Sequence, residues 1–420
     1  MIRTVLPGEL EGTVDRVMTS KSQAHRLMIC AAQAEEETLL TGVPPSEDAE
    51  ATLGCLQGMG ALLRRTEEGI CLRKGKRPDE APLLDCGESG STLRFLLPLA
   101  AAAGIPASFT GRGKLASRPL SPLYEEMAAH GAVMSAPGSF PLRLSGALRA
   151  GTYRIPGSVS SQFISGLMMA LPLLREDSCL EIGGRLESGP YVELTEETLG
   201  RFGVRILREE ARWIIPGGQR FRSPGTAAVE GDWSGAAFWL AAGALSEKGV
   251  RVRGVRAGSA QGDREMVTLL RRFGAEVEQT ETEVQVRKGK LRGMEIDAAD
   301  IPDLVPVLAV VAAFALGPTR IRNIRRLRLK ESDRVASVLA LIRSLGGRAE
   351  AEENEMTIEG MGSLRGGRAD AFGDHRIAMA AAVAGTGTDR PVHIVGAEAV
   401  SKSYPGFFEQ FTELGGRIEA

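Results

Sequence analysis

Cysteine and histidine are scarce in this chain. Five cysteines (Cys30, Cys55, Cys71, Cys86 and Cys179) lie scattered through 420 residues, odd in number and without a Cys-x-x-Cys pair. That argues against a disulfide frame or a zinc knuckle and for free thiols in a reducing compartment. The four histidines, His25, His130, His375 and His393, lack a metal-ligand spacing such as His-Glu-x-x-His, so no metal is expected. An excess of either charge is missing too: 51 Lys and Arg face 53 Asp and Glu, net −2. A general nucleic-acid binder is thereby disfavoured, and any basic site must be local. The N-terminus MIRTVLPGELEGTV has no apolar core of a signal peptide. The longest apolar stretch, 304–316, is too short for a bilayer and contains Pro306. A cytoplasmic protein with no membrane partner is expected. A Gly-x-x-x-x-Gly-Lys-Ser/Thr phosphate loop and a Gly-x-Ser-x-Gly elbow are both absent, which leaves triphosphatase and serine-hydrolase readings with little support.

What is present is periodic. Helix-like segments stop at a glycine and restart as strands at Gly60, Gly131, Gly203, Gly274, Gly346 and Gly415, in steps of 71, 72, 71, 72 and 69. Glycine after a helix supplies the left-handed residue that ends it. A second series runs in phase. Polar clusters suited to helix starts occur at Ser20, Gly90, Ser160, Asp232, Pro302 and Asp374, in steps of 70, 70, 72, 70 and 72. Each opens a helix apolar on nearly every face, such as 163–174 and 304–317, which belongs inside a domain. A second, amphipathic helix follows in each unit, as at 263–274. With 420 residues, six units of about 70 predict an α/β (α+β) chain of two similar domains, each of three repeats around buried helices.

Helix N-termini carry partial positive charge and free N–H groups, so a cluster of them suits anions. Lys21, Ser22 and Arg26 decorate the first start, Gly90 the second with Arg94 one turn on, Ser160, Ser161 and Gln162 the third, and Arg376 the sixth. Arg118, Lys330, Arg334 and Lys402 fall in the other connection of their units. Cations at equivalent loops of a near-neutral chain point to a small, multiply anionic ligand. Among them lie Asp303 and Glu331, a pair able to accept and donate a proton. Locally, Asp303 also reads as a helix-start residue and Glu331 as an ion-pair partner.

The segments SKSQAHR (20–26), ESGSTLRF (88–95), SRPL (117–120), GSVSSQF (157–163), ESGPY (187–191), VEGDWS (229–234), IPD (301–303), LRLKESDR (327–334), DHRIAM (374–379) and SKSYPGFF (401–408) resemble the enolpyruvyl transferase family. Within it they resemble the 3-phosphoshikimate 1-carboxyvinyltransferases, or EPSP synthases, in family order over nearly the whole chain. The resemblance implies an inside-out α/β barrel in each domain, three βαβαββ units apiece, with an active site in the cleft between domains. The domains would be 1–19 plus 232–420, and 20–231. It implies a monomer using two small substrates, phosphoenolpyruvate and shikimate 3-phosphate, with no metal or organic cofactor, and a glyphosate target. Lys21, Ser22, Arg26, Ser160, Ser161, Gln162, Ser188, Tyr191, Asp303 and Lys330 would hold shikimate 3-phosphate. Lys21, Gly90, Arg118, Gln162, Arg334, Arg376 and Lys402 would hold phosphoenolpyruvate. Asp303, Glu331 and Lys21 would move protons in an addition followed by an elimination.

The chain departs from the family at Glu88, where many members have Asn or Asp, at Met18-Thr19 in place of Pro-Gly, and at Arg326-Leu327 in place of an Asn-Trp pair. The sister enzyme acting on a UDP-linked amino sugar usually carries a Cys before its Arg-Pro motif. Here the loop 111–120 reads GRGKLASRPL, and Ser22 rather than Asn follows Lys21. A non-catalytic phospho-ligand binder of the same fold is the remaining alternative, and the retained Asp303 and Glu331 speak against it.

Overall fold

The computed structural model describes residues 1–138 and 140–419. The chain divides into two compact units: residues 1–20 with 230–420, and residues 21–229. Each has its own continuous apolar core.

Among the described residues the strands form six four-stranded sheets of one pattern. In each, the first strand runs parallel to the second, and the second, third and fourth are successively antiparallel. The repeat at 83–146 is representative. Strand Leu83–Asp85 leads into the buried helix Gly90–Ala102, then strand Ala107–Thr110, then the amphipathic helix Leu123–Ala129 and the hairpin Ala132–Met134 with Leu142–Gly146. A parallel pair needs a crossover, and the apolar helix supplies it.

The six buried helices are Lys21–Gln33, Gly90–Ala102, Ser161–Ala170, Trp233–Leu245, Val305–Phe314 and His375–Thr386. All thirteen residues of Trp233–Leu245 are buried, as a helix apolar all round requires. Sheet strands instead alternate, as Glu355–Met361 does, with one face inward and one toward water. Helices therefore fill each unit and sheets cover it, the arrangement the periodicity predicts.

All six periodic glycines have positive φ: Gly60 100°, Gly131 102°, Gly203 73°, Gly274 101°, Gly346 89° and Gly415 86°. An L side chain is strained there, which explains their recurrence. Five helix starts also fall where the sequence places them. Ser89, Ser160, Asp232 and Asp374 cap with side-chain oxygens, and Lys21 follows Ser20 directly. The fifth differs. Its helix begins at Val305 after Leu304, with no side-chain cap, so Asp303 is left for another task. The apolar run 304–317 also breaks sooner than its pattern suggests: the helix ends at Phe314 and Leu316–Arg322 is a strand.

Three sheets borrow strands across the chain. Gly12–Val14 completes the sheet of Val250–Arg253, and Ile2–Leu6 lies between Val392–Val395 and Arg417–Glu419. Likewise Thr226–Ala228 completes the sheet of Thr38–Thr41. Near the crossings, Ser20 N donates to Glu230 O (2.7 Å) and Asp232 N to Met18 O (2.7 Å).

Close helix contact in the 21–229 unit depends on Gly166, where a Cβ would run into Arg94 O and Pro98 Cγ. Gly166→Ala should separate helices Gly90–Ala102 and Ser161–Ala170, and urea unfolding should register a loss of about 1–3 kcal/mol.

Candidate active site

In the 21–229 unit, side chains from the starts of two buried helices, Gly90–Ala102 and Ser161–Ala170, meet. Gln162 Nε2 donates to Ser91 Oγ (2.9 Å), and Arg94 Nη1 donates to Gln162 Oε1 (2.6 Å). Arg94 Nη2 donates to Pro119 O (3.0 Å), anchoring the loop that carries Arg118. The Arg118 guanidinium lies against Gly90. A Cβ on Gly90 would stand 2.7 Å from Nη1 and 2.8 Å from Cζ, so the missing side chain makes room for a neighbouring cation. Ser160 caps its helix by accepting from Gln162 N (3.3 Å), which leaves its hydroxyl hydrogen for another acceptor. Ser161 follows it, nearly buried.

Lys21 Nζ donates to Asp48 Oδ2 (2.7 Å), both partly buried. Asp48 carries no signal in the sequence, because an acid in a first helical turn reads as a complement to the helix dipole. Arg26 is 2% exposed and donates four hydrogen bonds, to Thr195 Oγ1 (2.7 Å), Ser22 O (2.7 Å), Ser165 Oγ (3.1 Å) and Tyr191 O (3.0 Å). Burial lowers its pKa to about 10. This arginine fixes Ser22 and Tyr191 in the scaffold. Ser188, just before helix Gly189–Arg201, sits at φ 56°, ψ 38°. That left-handed conformation costs a serine of order 1 kcal/mol and tends to mark function. His25 shares a hydrogen bond with Thr52 Oγ1 (2.7 Å), which meets Thr92 Oγ1 (2.6 Å), which donates to Ser89 Oγ (2.7 Å). Burial, with Lys21 and Arg26, pushes the His25 pKa well down, so the imidazole is neutral and structural.

In the other unit the expected residues converge on one buried guanidinium. Arg334 is 1% exposed. It donates to Asp303 Oδ1 (2.6 Å), Glu331 Oε2 (2.8 Å) and Asp374 Oδ2 (2.8 Å). Burial opposes its charge, but Asp374, Glu331 and Asp303 outweigh burial and hold its pKa well above the ordinary value. Asp303 also lies 3.4 Å from Lys330 Nζ, and Arg376 Nη2 is 3.6 Å from its Oδ2. Arg376 Nη1 donates to the Asp303 carbonyl (3.3 Å). Burial lowers the Lys330 pKa, with Asp303 acting against it. Lys402 Nζ donates to Gly373 O (2.9 Å), beside Asp374.

Asp374 is the residue that sequence reasoning placed only as a helix start. It accepts from Arg376 N (3.0 Å) and Ser332 Oγ (3.1 Å) as well as from Arg334. Burial would raise its pKa, yet Arg334 brings it below the ordinary carboxylate range. Its place in DHRIAM, two residues before Arg376, was the available signal.

One unit thus offers helix starts with hydroxyls, an amide and cations, a surface for anions. The other offers two carboxylates oriented by one arginine among further cations, the equipment for proton transfer. No cluster of His, Cys, Asp and Glu able to hold a metal occurs among the described residues. No described helix is long and apolar enough to cross a membrane.

This architecture is shared with solved enolpyruvyl transferases. EPSP synthase from Acinetobacter baumannii matches with a TM-score of 0.81 at 26% identity, covering 100% of both chains. The enolpyruvyl transferase NikO from Streptomyces tendae matches with a TM-score of 0.81 at 18% identity, covering 100% of this chain and 98% of that one, a likeness of fold alone. A family model described as EPSP synthase (3-phosphoshikimate 1-carboxyvinyltransferase) spans residues 6–411. A 3-phosphoshikimate 1-carboxyvinyltransferase of Clostridium kluyveri is 41% identical over 419 residues, 99% of this chain and 98% of the relative. That of Clostridioides difficile is 38% identical over 429 residues, with 99% and 98% covered. The chain belongs to the EPSP synthase family.

Asp374→Asn leaves Arg334 buried with a partner charge removed, at a cost of about 3–5 kcal/mol. Because the folded pKa of Asp374 is depressed, its contribution is present above the ordinary carboxylate value and lost as pH falls through the lower, folded value. Urea unfolding should show a wide gap between wild type and variant at neutral pH, closing in acid.

Proposed function

We propose that the chain transfers the enolpyruvyl group of phosphoenolpyruvate to the 5-hydroxyl of shikimate 3-phosphate and releases phosphate, the step of the shikimate pathway that leads toward chorismate and aromatic amino acids. The observation that carries this reading is the pair Asp303 and Glu331, both held by Arg334 at 2.6 and 2.8 Å.

Asp303 accepts the proton of the 5-hydroxyl as that oxygen bonds to C2 of phosphoenolpyruvate, and Glu331 gives a proton to C3. The product of this addition is a tetrahedral, phosphate-bearing ketal. In the elimination C3 loses a proton, the double bond re-forms and the C2–O bond to phosphate breaks. Lys21, held by Asp48, is the other group able to move one of these protons. Cations fixed before the reaction offset charge on the departing phosphate without reorganising.

In this reading Ser22, Arg26, Ser160, Ser161, Gln162, Ser188, Tyr191 and Lys330 serve shikimate 3-phosphate, Arg26 by holding Ser22 and Tyr191 in place. Gly90, Arg118, Gln162, Arg376 and Lys402 serve phosphoenolpyruvate. Arg334, expected to be a ligand for phosphoenolpyruvate, takes a second part here as the group that orients both acids. The reading is of a cytoplasmic monomer, and light scattering on the purified chain checks its mass.

Phosphate release should require both substrates together. Asp303→Asn and Glu331→Gln should each lower kcat by about 10²–10⁴, and Lys21→Met should reduce turnover as well. An Asp303→Asn variant with wild-type kcat removes the proposed base. Gly90→Ala should displace the Arg118 guanidinium and raise KM for phosphoenolpyruvate about tenfold, roughly 1.4 kcal/mol, with a smaller effect on kcat. An unchanged KM dissociates Arg118 from that substrate.

A further inference from the structure

The same cluster contains a carboxyl group to which the reaction assigns nothing. Asp263, in the 3-10 turn Gly262–Glu265, is 3% exposed. A ladder of hydrogen bonds fixes its segment to the start of helix Trp233–Leu245. Ser259 Oγ donates to Glu230 Oε2 (2.7 Å), Gln261 Nε2 to Gly231 O (2.9 Å), Trp233 N to Gln261 Oε1 (3.1 Å), and Ser234 Oγ to Asp263 Oδ2. The other oxygen, Oδ1, is buried with no hydrogen-bond partner among the described residues.

A buried carboxylate gathers several donors or a cation, because an uncompensated charge in the interior is costly. One donor and one bare oxygen suit the neutral acid better. The charged groups facing Asp263 come from three elements: Asp232 before helix Trp233–Leu245, Asp303 before helix Val305–Phe314, and Arg376 in the first turn of helix His375–Thr386. Its turn neighbours Arg264 and Glu265 are exposed. Burial above all, then Asp303, pushes the acid up to about 7, with Arg376 and the Ser234 hydroxyl opposing and Asp232 reinforcing. Arg376 is already engaged with Asp303.

We propose that Asp263 is a positioning residue that stays a neutral acid while Arg376 holds an anionic group of the substrate, and that its ionisation sets a further carboxylate charge against Arg376 and weakens that hold. The inference rests on the reading of Arg376 as a phosphoenolpyruvate-binding cation. It gives the site an alkaline limit of its own, separate from titration of the substrates.

The test is kcat/KM for phosphoenolpyruvate, at saturating shikimate 3-phosphate, from about pH 6 to about pH 8.5. Asp263→Asn keeps the shape of the neutral acid and cannot ionise. The ratio of wild type to variant should fall about fivefold across this range, carried by KM. Ser234→Ala removes a donor that favours the charged form and should move the wild-type limb to higher pH. Parallel profiles for wild type and Asp263→Asn overturn the proposal, as does a Ser234→Ala limb that does not move.

Two readouts do not depend on turnover. In carbon-13 NMR of aspartate-labelled full chain, one carboxyl should titrate near neutral pH and shift upward in Ser234→Ala; no such signal overturns the proposal even if Asp263→Asn fails to fold. The folded chain keeps this proton where unfolded aspartate is ionised. Wild type therefore loses stability as pH rises from the usual carboxylate value toward about 7. Asp263→Asn should accordingly gain more in melting temperature at alkaline than at acid pH. Absence of wild-type turnover defeats the enolpyruvyl reading alone and leaves both of these measurements standing.

Discussion

Arg334 is the side chain on which the acidic cluster of its unit depends. Its guanidinium is almost wholly buried and meets carboxylates from three places: Asp303 before helix Val305–Phe314, Glu331 three residues upstream, and the cap of helix His375–Thr386. Arginine suits this task because its planar fork presents five donors in fixed directions and stays charged when desolvated. The three acids carry more negative charge than one guanidinium cancels. The surplus is met by Lys330 and Arg376, which face Asp303. Acids able to exchange protons and cations able to hold anions are thus brought together by the same balance of charge.

The other unit reaches a similar end with arginines that face neutral acceptors. Arg26 ties helix Lys21–Gln33 to Ser165 and to the start of helix Gly189–Arg201. Arg94 ties helix Gly90–Ala102 to Gln162 and to the loop of Arg118. Both lie near aromatic rings, Arg26 over Phe95 and Arg94 over Phe163, which eases the burial of a cation. Buried arginines stiffen the helix starts that carry Ser22, Tyr191 and Gln162.

What a sequence reveals depends on how far apart the cooperating residues are. The repeat was legible because a left-handed glycine is a local demand, met six times at near-constant intervals. Most helix starts were legible for the same reason. The family motifs place Asp303, Lys330, Glu331, Arg334 and Arg376 in one group, and the structure joins them by direct contacts. Their partners were harder to read. Asp48 and Lys21 are 27 residues apart on different helices, and nothing local links them. Asp263 looked like an ordinary start of an amphipathic helix, since its burial and its bare oxygen arise only when distant loops pack. The sequence marks Arg26 as a substrate cation, and its four bonds to the protein add a scaffold part that only acceptor positions reveal.

The borrowed strands affect the order in which the chain can acquire its structure at the ribosome. Residues 21–229 form one unbroken unit, complete once Thr226–Ala228 has emerged to pair with Thr38–Thr41. The first twenty residues belong elsewhere, to sheets whose remaining strands begin at Val250 and end at Glu419. At about 5–20 residues per second, the leading segment waits tens of seconds for its partners. Its two strands, Ile2–Leu6 and Gly12–Val14, are short, and short edges recruit few foreign strands. The brevity of these two strands is thus a safeguard for a nascent chain in which sheets completed late need strands made early.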